Sequence, residues 1–116
     1  MNLHGTGTRL NDTMECRAIA RVFGDAPPCS STKSLVGHTL GSAGAMEAGF
    51  CWMILQQRSG SFLSLAPHVW DGQRDPELPA VLLVDKGMRV AEGPVLTNSF
   101  GFGGNNCALI LEGAPR

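Results

Sequence analysis

The sequence has no long apolar run, no cluster of like charges and no signal peptide, and each absence excludes a class of protein. No stretch reaches the ~18 consecutive apolar residues of a transmembrane helix, and the start lacks a basic segment followed by an apolar one. Nine basic and ten acidic residues give a net charge of -1, without the basic patch that binds nucleic acid or an anionic membrane. We therefore expect a cytoplasmic protein whose partners are small molecules or other proteins.

Closely spaced cysteines are also lacking, which argues against a disulfide framework and against a zinc site. The histidines, His4, His38 and His68, are not grouped with any cysteine at the short spacings that metal ligands need. We expect no metal and four reduced, mostly buried cysteines, namely Cys16, Cys29, Cys51 and Cys107.

A chain of 116 residues with 43% apolar content is long enough for one domain or part of one, and we treat residues 1–116 as a single unit. Asp12 and Glu15 have the spacing of a capping box and predict an amphipathic helix over about 12–23. Residues 42–58 begin with small side chains and continue with large apolar ones. This second pattern predicts a helix buried on nearly all sides.

Short apolar or β-branched runs predict the strands, and residues 64–80, with three prolines, predict a surface segment. The order of elements indicates an α/β fold in which helices cover a mixed sheet. The first strand is so short that we expect it to have begun before Met1. The predicted strands are Met1–Leu3, Cys29–Thr32, Val81–Val84, Val95–Ser99 and Cys107–Leu111.

Three glycine-rich segments follow predicted strands and carry the chemically interesting side chains. They are 4–8 (His-Gly-Thr-Gly-Thr), 33–41 (Lys-Ser-Leu-Val-Gly-His-Thr-Leu-Gly) and 98–105 (Asn-Ser-Phe-Gly-Phe-Gly-Gly-Asn). Ligands of α/β sheets bind beyond strand ends, so we expect His4, Lys33 and Phe100 to converge at one edge of the sheet. Glu47 lies among small and apolar residues of the predicted buried helix, where a carboxylate requires a partner, and Lys33 is the candidate.

Each segment also has a simpler explanation. A histidine beside glycines can merely bind turn amides, and residues 101–104 can form an ordinary hairpin turn. A phosphate-binding loop is disfavoured because residues 101–104 lack the strand-to-helix context and the Lys-Ser/Thr ending of a P-loop.

Taken together, the three segments resemble the β-ketoacyl-acyl-carrier-protein synthases, the condensing enzymes of fatty acid and polyketide synthesis. The resemblance rests on the His-Gly-Thr-x-Thr turn with Asp-x-x-Glu after it (4–15), on Ser-Thr-Lys-Ser-x-x-Gly-His (31–38) and on Asn-Ser-Phe-Gly-Phe-Gly-Gly (98–104), which occur in the family's order. It covers nearly the whole chain and implies the C-terminal half of a thiolase-like fold.

The resemblance implies an acyltransferase that joins an acyl thioester to malonyl-acyl carrier protein by decarboxylative Claisen condensation. His4 and His38 would donate N–H groups to the enolate oxygen, as in an oxyanion hole. Lys33 would orient His38 and set the local charge, and Glu47 would balance Lys33.

The same resemblance assigns the substrate contacts and the partners. Thr6 and Thr8 would bind the phosphopantetheine arm, which arrives on the acyl carrier protein, so no resident cofactor is implied. The Phe100 amide would complete a second oxyanion hole, and the Phe100 ring, with Phe102 behind it, would gate the acyl chain. The complete enzymes are commonly homodimers.

One departure from the family concerns the nucleophile. The family's nucleophilic cysteine lies at the start of a buried helix in the N-terminal half, and no residue of this sequence occupies that context. Cys29-Ser30 resembles the nucleophile's Cys-Ser pair, but Cys29 lies in a predicted strand, without the helix start or neighbouring base that activates a thiol. We therefore expect the chain to be unable to condense alone and to need the N-terminal half.

Two other interpretations remain open. A non-catalytic interaction subunit, docking on a condensing enzyme or a carrier protein, would have no need of both histidines. A condensing enzyme of the initiating or thiolase kind would pair one histidine with Asn or with another Cys. The 33–38 segment, with both Lys33 and His38, disfavours that interpretation.

Overall fold

The computed structural model describes residues 1–25 and 27–115, which contain three α-helices and four β-strands. Short 3₁₀ turns lie at Leu40–Ser42 and Phe102–Gly104. The elements are α1 (Arg9–Phe23), α2 (Lys33–Val36), α3 (Ala43–Gln56), β1 (Phe62–Ser64), β2 (Arg89–Ala91), β3 (Val95–Phe100) and β4 (Asn106–Leu111).

A mixed sheet forms the centre of the fold. β3 and β4, both predicted as strands, pair antiparallel. On the other side of β3, three short extended segments join by single parallel bridges, Thr97 to Asn2, Asn2 to Ser30 and Cys29 to Leu83. The predicted strands 1–3, 29–32 and 81–84 therefore exist as one or two paired residues each. They are short because turns and the helix α2 follow at once.

Helices α1 and α3 cover opposite faces of this sheet. Leu3 and Cys29 pack with Ile19 of α1, whereas Val95 packs with Cys51 and Leu55 of α3. Neighbouring side chains of a strand point to opposite faces, and Asn2, next to Leu3, hydrogen-bonds Thr97, which shares the face of Val95. The predicted α/β arrangement, with helices covering a mixed sheet, is confirmed.

The capping box predicted at Asp12 and Glu15 is wrong. Helix α1 begins at Arg9, and Thr8 precedes it without a side-chain cap. Glu15 is buried and binds backbone amides of the 4–8 turn instead. The apolar stripe predicted for this helix is also largely exposed, with Val22 71% accessible.

Helix α3 is buried along one stripe and not on nearly all sides. The stripe has the i, i+4 spacing of one helix face, Ala43, Glu47, Cys51 and Leu55. Trp52 on another face is 56% exposed. The small residues at its start do allow close packing, because a Cβ on Gly44 would lie 2.8 Å from the Ser99 hydroxyl of β3.

The two-stranded antiparallel sheet of β1 and β2, which residues 65–88 connect, was not predicted. It pairs Leu63 with Val90 and buries Leu63 against α3, although strands of three residues leave little alternation to detect. The predicted surface segment is largely exposed from Val69 to Glu77. Within the described ranges, no helix is long and apolar enough to cross a bilayer.

Candidate functional site

Three strand ends meet at one edge of the sheet and carry the candidate site. The segments through Asn2 and Ser30 run parallel to β3, so the residues that follow them emerge beside the end of β3. His4 comes two residues after Asn2, Lys33 three residues after Ser30, and Phe100 ends β3. The convergence predicted for these three residues is confirmed.

The imidazole of His4 is the centre of this cluster. Its ring lies edge-on to that of His38, with centroids 5.3 Å apart, and edge-on to Phe100 at 5.6 Å. His4 is 6% exposed, whereas His38 is exposed. The two histidines, 34 residues apart in sequence, therefore form one pair with a buried and an accessible member.

His4 is held in its neutral form. Burial, followed by the positive charge of Lys33 and the proximity of His38, lowers the pKa of His4 to about 4. Its Nδ1 atom is buried without a hydrogen-bond partner among the described residues. A neutral imidazole has one N–H to donate and one lone pair to accept with.

Lys33 and Glu47 form a buried ion pair beneath His4. Lys33 Nζ donates to Glu47 Oε1 and, at 2.5 Å, to the carbonyl oxygen of His4. The partnership predicted between Lys33 and Glu47 is therefore present. Among the described residues, these hydrogen bonds link the ammonium to His4 and not to His38, which differs from the expectation that Lys33 orients His38.

Glu15 is a site residue that the sequence analysis assigned to a helix cap. Its carboxylate accepts hydrogen bonds from the backbone amides of His4 at 2.9 Å and Gly5 at 2.8 Å. Asn11 and Asn98 donate more weakly, both at 3.4 Å. Burial raises the pKa of Glu15, and these hydrogen bonds oppose the shift. The sequence signal for this role was the position of Glu15, an acidic residue on the same face of α1 as the apolar Ile19.

Gly5 and Ser31 fasten the first two segments together. Gly5 has a φ of +41°, and a Cβ there would lie 2.6 Å from Cβ of Ser31. The Ser31 hydroxyl donates to the carbonyl of Gly5 at 2.8 Å. Only glycine fits this contact and this backbone conformation.

The remaining predicted residues lie at the surface of the site. The hydroxyls of Thr6 and Thr8 hydrogen-bond each other at 2.7 Å. Phe102, in the 3₁₀ turn after β3, is 92% exposed, so its ring is not packed against Phe100 as a buried gate would be. Asn105 Nδ2 donates to the carbonyl of Phe102 and closes this turn.

A cleft of about 930 Å³ opens beside the cluster. Thr6, Thr8, Lys33 and His38 line one part of it, and His68 and Trp70 line another. His4 and Phe100 do not line it. The volume falls in the range of ligand pockets. Across residues 1–25 and 27–115, no three His, Cys, Asp or Glu side chains lie close enough to share a metal ion.

Cys29 has no feature of an activated thiol. It is fully buried, its Sγ donates to the carbonyl of Pro27, and burial raises its pKa to about 11. Cys16 and Cys51 are also buried and Cys107 is exposed, which confirms the prediction of mostly buried cysteines.

Comparison with known proteins identifies the family. Residues 1–60, just over half of the chain, match the model of the β-ketoacyl synthase C-terminal domain. The chain belongs to the β-ketoacyl synthase family. The matched range contains His4, Lys33, His38 and Glu47, while Phe100 and Phe102 lie beyond it.

Individual synthases are similar along nearly the whole chain. 3-Oxoacyl-[acyl-carrier-protein] synthase 1 of Escherichia coli strain K12 is 36% identical over 113 residues, or 97% of this chain. Synthase 1 of Haemophilus influenzae is 40% identical over 114 residues, and synthase 2 of Staphylococcus aureus is 33% identical over 115. The chain spans 27% of the length of each of these relatives.

A solved structure confirms the thiolase-like fold. The crystal structure of ketosynthase twelve from the bacillaene polyketide synthase of Bacillus amyloliquefaciens superposes with a TM-score of 0.81 and 27% identity. The superposition covers 98% of this β-ketoacyl synthase chain and 22% of that ketosynthase chain. The resemblance found in the three motifs therefore extends to the fold.

Proposed function

We propose that this chain supplies the decarboxylation and oxyanion residues of a 3-oxoacyl-acyl-carrier-protein synthase. The observation that carries the proposal is the edge-on pair of His4 and His38, 5.3 Å between centroids, beside Phe100 and a cleft of about 930 Å³. The carrier-protein substrates and the nucleophilic cysteine are part of the proposal. We place the cysteine in the portion of the synthase that this chain does not span.

The reaction begins when the bond between the malonyl carboxylate and C2 breaks. Carbon dioxide leaves, and the electron pair passes into the enolate of the thioester, whose oxygen gains negative charge. C2 then forms a bond to the carbonyl carbon of the acyl-cysteine, and the cysteine sulfur leaves as thiolate. The product is a 3-oxoacyl thioester on the carrier protein.

His4 and His38 stabilise the enolate by donating N–H groups to its oxygen. Donors that are already positioned in a site sheltered from water lower the barrier most effectively. With its pKa lowered to about 4, His4 stays neutral near pH 7 and remains a donor of constant charge. The exposed His38 meets the substrate from the cleft side.

Lys33 acts on His4 rather than on the substrate. Its ammonium holds the His4 carbonyl and, after burial, is the next cause of the lowered pKa that keeps the imidazole neutral, while Glu47 compensates the buried charge. Breaking a buried ion pair by removing one partner is strongly unfavourable. This supports a role for Glu47 in retaining Lys33 at the site.

The cleft is the proposed channel of the phosphopantetheine arm. Thr6 and Thr8, which line it, offer hydroxyls to the amides of the arm. At the end of β3, the Phe100 amide serves the acyl-cysteine oxyanion. The rings of Phe100 and the exposed Phe102 meet the acyl chain. No resident cofactor takes part, and the complete synthase acts as a homodimer.

The test uses the complete synthase that contains this chain and measures its two half-reactions separately. They are acylation of the cysteine and decarboxylation of malonyl-acyl carrier protein. His4→Ala and His38→Ala are expected to abolish decarboxylation of malonyl-acyl carrier protein while leaving acylation of the cysteine largely intact. Lys86→Ala, at an exposed position away from the cleft, should change neither. Loss of acylation with normal decarboxylation would show that the donors serve the other half-reaction.

A second measurement uses the purified 116-residue chain. We expect no condensation by this chain alone, because no thiol in it has an activated environment. Turnover by the isolated chain would contradict this part of the proposal. Normal decarboxylation by both histidine variants of the complete enzyme would favour a non-catalytic interaction subunit.

A further inference from the structure

His68 lies outside the three motifs yet bonds directly to one of them. Its Nδ1 accepts a hydrogen bond from the backbone amide of Ser31 at 3.1 Å. Its own amide donates to the carbonyl of Val84 at 2.8 Å, which ties it to the edge of the sheet. The side chain therefore bridges the 64–80 segment and the segment that leads to Lys33.

Ser31 is the residue through which this bridge reaches the site. It is 4% exposed, its hydroxyl donates to the Gly5 carbonyl at 2.8 Å, and its oxygen accepts from the amide of Lys33 at 3.4 Å. A shift of Ser31 would alter both hydrogen bonds, and Gly5 approaches Ser31 so closely that there is no room for a side chain between them.

We propose that His68 is a positioning residue that fixes Ser31 and, through it, the relative placement of His4 and Lys33. The proposal rests on the function proposed above, because placement matters only if these residues act together. Among the described residues, His68 makes no hydrogen bond or ring contact with His4. Its effect passes through one backbone hydrogen bond.

The chemistry of the ring fits this role. A nitrogen that accepts an amide hydrogen carries no proton, so the neutral imidazole has its proton on Nε2. Burial lowers the pKa of His68, against the smaller opposing effect of the Asp12 charge, and this favours the neutral form. Trp70 lies beside the ring, with centroids 6.1 Å apart. Among the described residues, Nε2 has no hydrogen-bond partner.

Two amide substitutions separate the two ring nitrogens. The oxygen of His68→Asn lies close to where Nδ1 was and can accept from Ser31, whereas the amide of His68→Gln extends toward the former Nε2 position. In the complete synthase, we expect His68→Asn to keep kcat for malonyl decarboxylation within about threefold. We expect His68→Gln and His68→Ala to lower it by on the order of tenfold, as when transition-state stabilisation is lost. Because the ring also lines the cleft, any change in KM from its removal should be shared by His68→Asn.

A readout independent of activity accompanies the kinetics. In ¹H–¹⁵N spectra of histidine side chains, His68→Gln should move the His4 and His38 signals, and His68→Asn should leave them near their wild-type positions. Lys86→Ala, on an exposed loop, is the control for a substitution outside the site and should leave both the spectra and kcat unchanged.

Three results would overturn the proposal. They are wild-type kinetics and spectra in both His68→Gln and His68→Ala, rescue by Gln but not by Asn, and equal loss in Asn and Gln. If His68→Ala does not fold, the comparison of Asn with Gln still decides. If the wild-type synthase does not decarboxylate malonyl-acyl carrier protein, the proposed function is wrong. The side-chain spectra would still test whether His68 fixes the placement of His4.

Discussion

The carboxylate of Glu15 and the backbone amide of His4 are joined by a hydrogen bond of 2.9 Å, and a second oxygen of the same carboxylate binds the next amide at 2.8 Å. Helix α1 thus holds the turn that carries His4 by its backbone. The histidine ring takes no part in these hydrogen bonds and contacts the rings of His38 and Phe100. Orientation of His4 therefore depends on a residue of another element, eleven positions along the chain.

Removing this carboxylate should destabilise the fold and displace His4. Glu15→Ala leaves two sheltered amides without an acceptor, at a cost of about 1–3 kcal/mol for each. The free energy of unfolding, from urea titration of the complete synthase, measures this cost. The exposed Glu77→Ala should stay within about 0.5 kcal/mol of wild type. Equal stabilities of the two variants would contradict the finding that Glu15 anchors the turn.

The buried pair of Lys33 and Glu47 should be strongly coupled. Lys33→Met alone leaves the Glu47 charge uncompensated and should cost about 3–5 kcal/mol. Combining it with Glu47→Gln should recover part of that loss. A double-mutant cycle by urea unfolding gives the coupling. Additive effects of the two substitutions would show that the pair does not interact.

The pH dependence of His4 follows from its lowered pKa. The imidazole should titrate near pH 4, against 6.5 for an unperturbed histidine, as measured by the pH dependence of its NMR signal. Since the unfolded chain binds this proton more tightly, protonation favours unfolding. The contribution of His4 to stability is complete above about pH 6.5 and declines as the pH falls toward 4. A midpoint near 6.5 in the folded protein would contradict the burial of this ring.

Gly5 and Gly7 provide a matched pair of glycines in one turn. Both have positive φ, +41° and +71°. A Cβ on Gly5 would collide with Ser31, whereas a Cβ on Gly7 would have no other heavy atom of the described residues within 4 Å. Gly7→Ala should therefore show only the backbone cost, about 1 kcal/mol. Gly5→Ala should cost clearly more and should lower decarboxylation, and unfolding titrations and activity assays compare the two. Equal effects would mean that the Ser31 contact imposes no constraint.

The cysteines should differ sharply in reactivity. Cys29 is fully buried with its pKa raised to about 11, and Cys107 is exposed. Iodoacetamide should label Cys107 in the native 116-residue chain and label Cys29 only after denaturation, as peptide mass mapping can show. Cys107→Ser should remove the native label. Rapid labelling of Cys29 in the native chain would contradict the conclusion that its thiol is not activated.

Motif spacing predicted the site better than periodicity predicted the helices. Lys33 and Glu47 were paired by a local argument, since a carboxylate on a buried helix needs a cation, and the structure contains that pair. The capping box at Asp12 and Glu15 failed because the same spacing suits a carboxylate that binds another turn. The pairing of β1 with β2 could not be predicted because each strand has three residues, too few to show alternation, and residues 65–88 separate them.

The sequence by itself determined the family, the three segments that carry the site and the α/β order, because these depend on residue identity and local spacing. Only the tertiary structure decided which groups meet. It placed Lys33 on the carbonyl of His4, turned Glu15 toward the 4–8 turn and brought Nδ1 of His68 to Ser31. Such contacts join residues 11 to 37 positions apart, and they form only when the folded sheet and the segments packed against it bring these residues together.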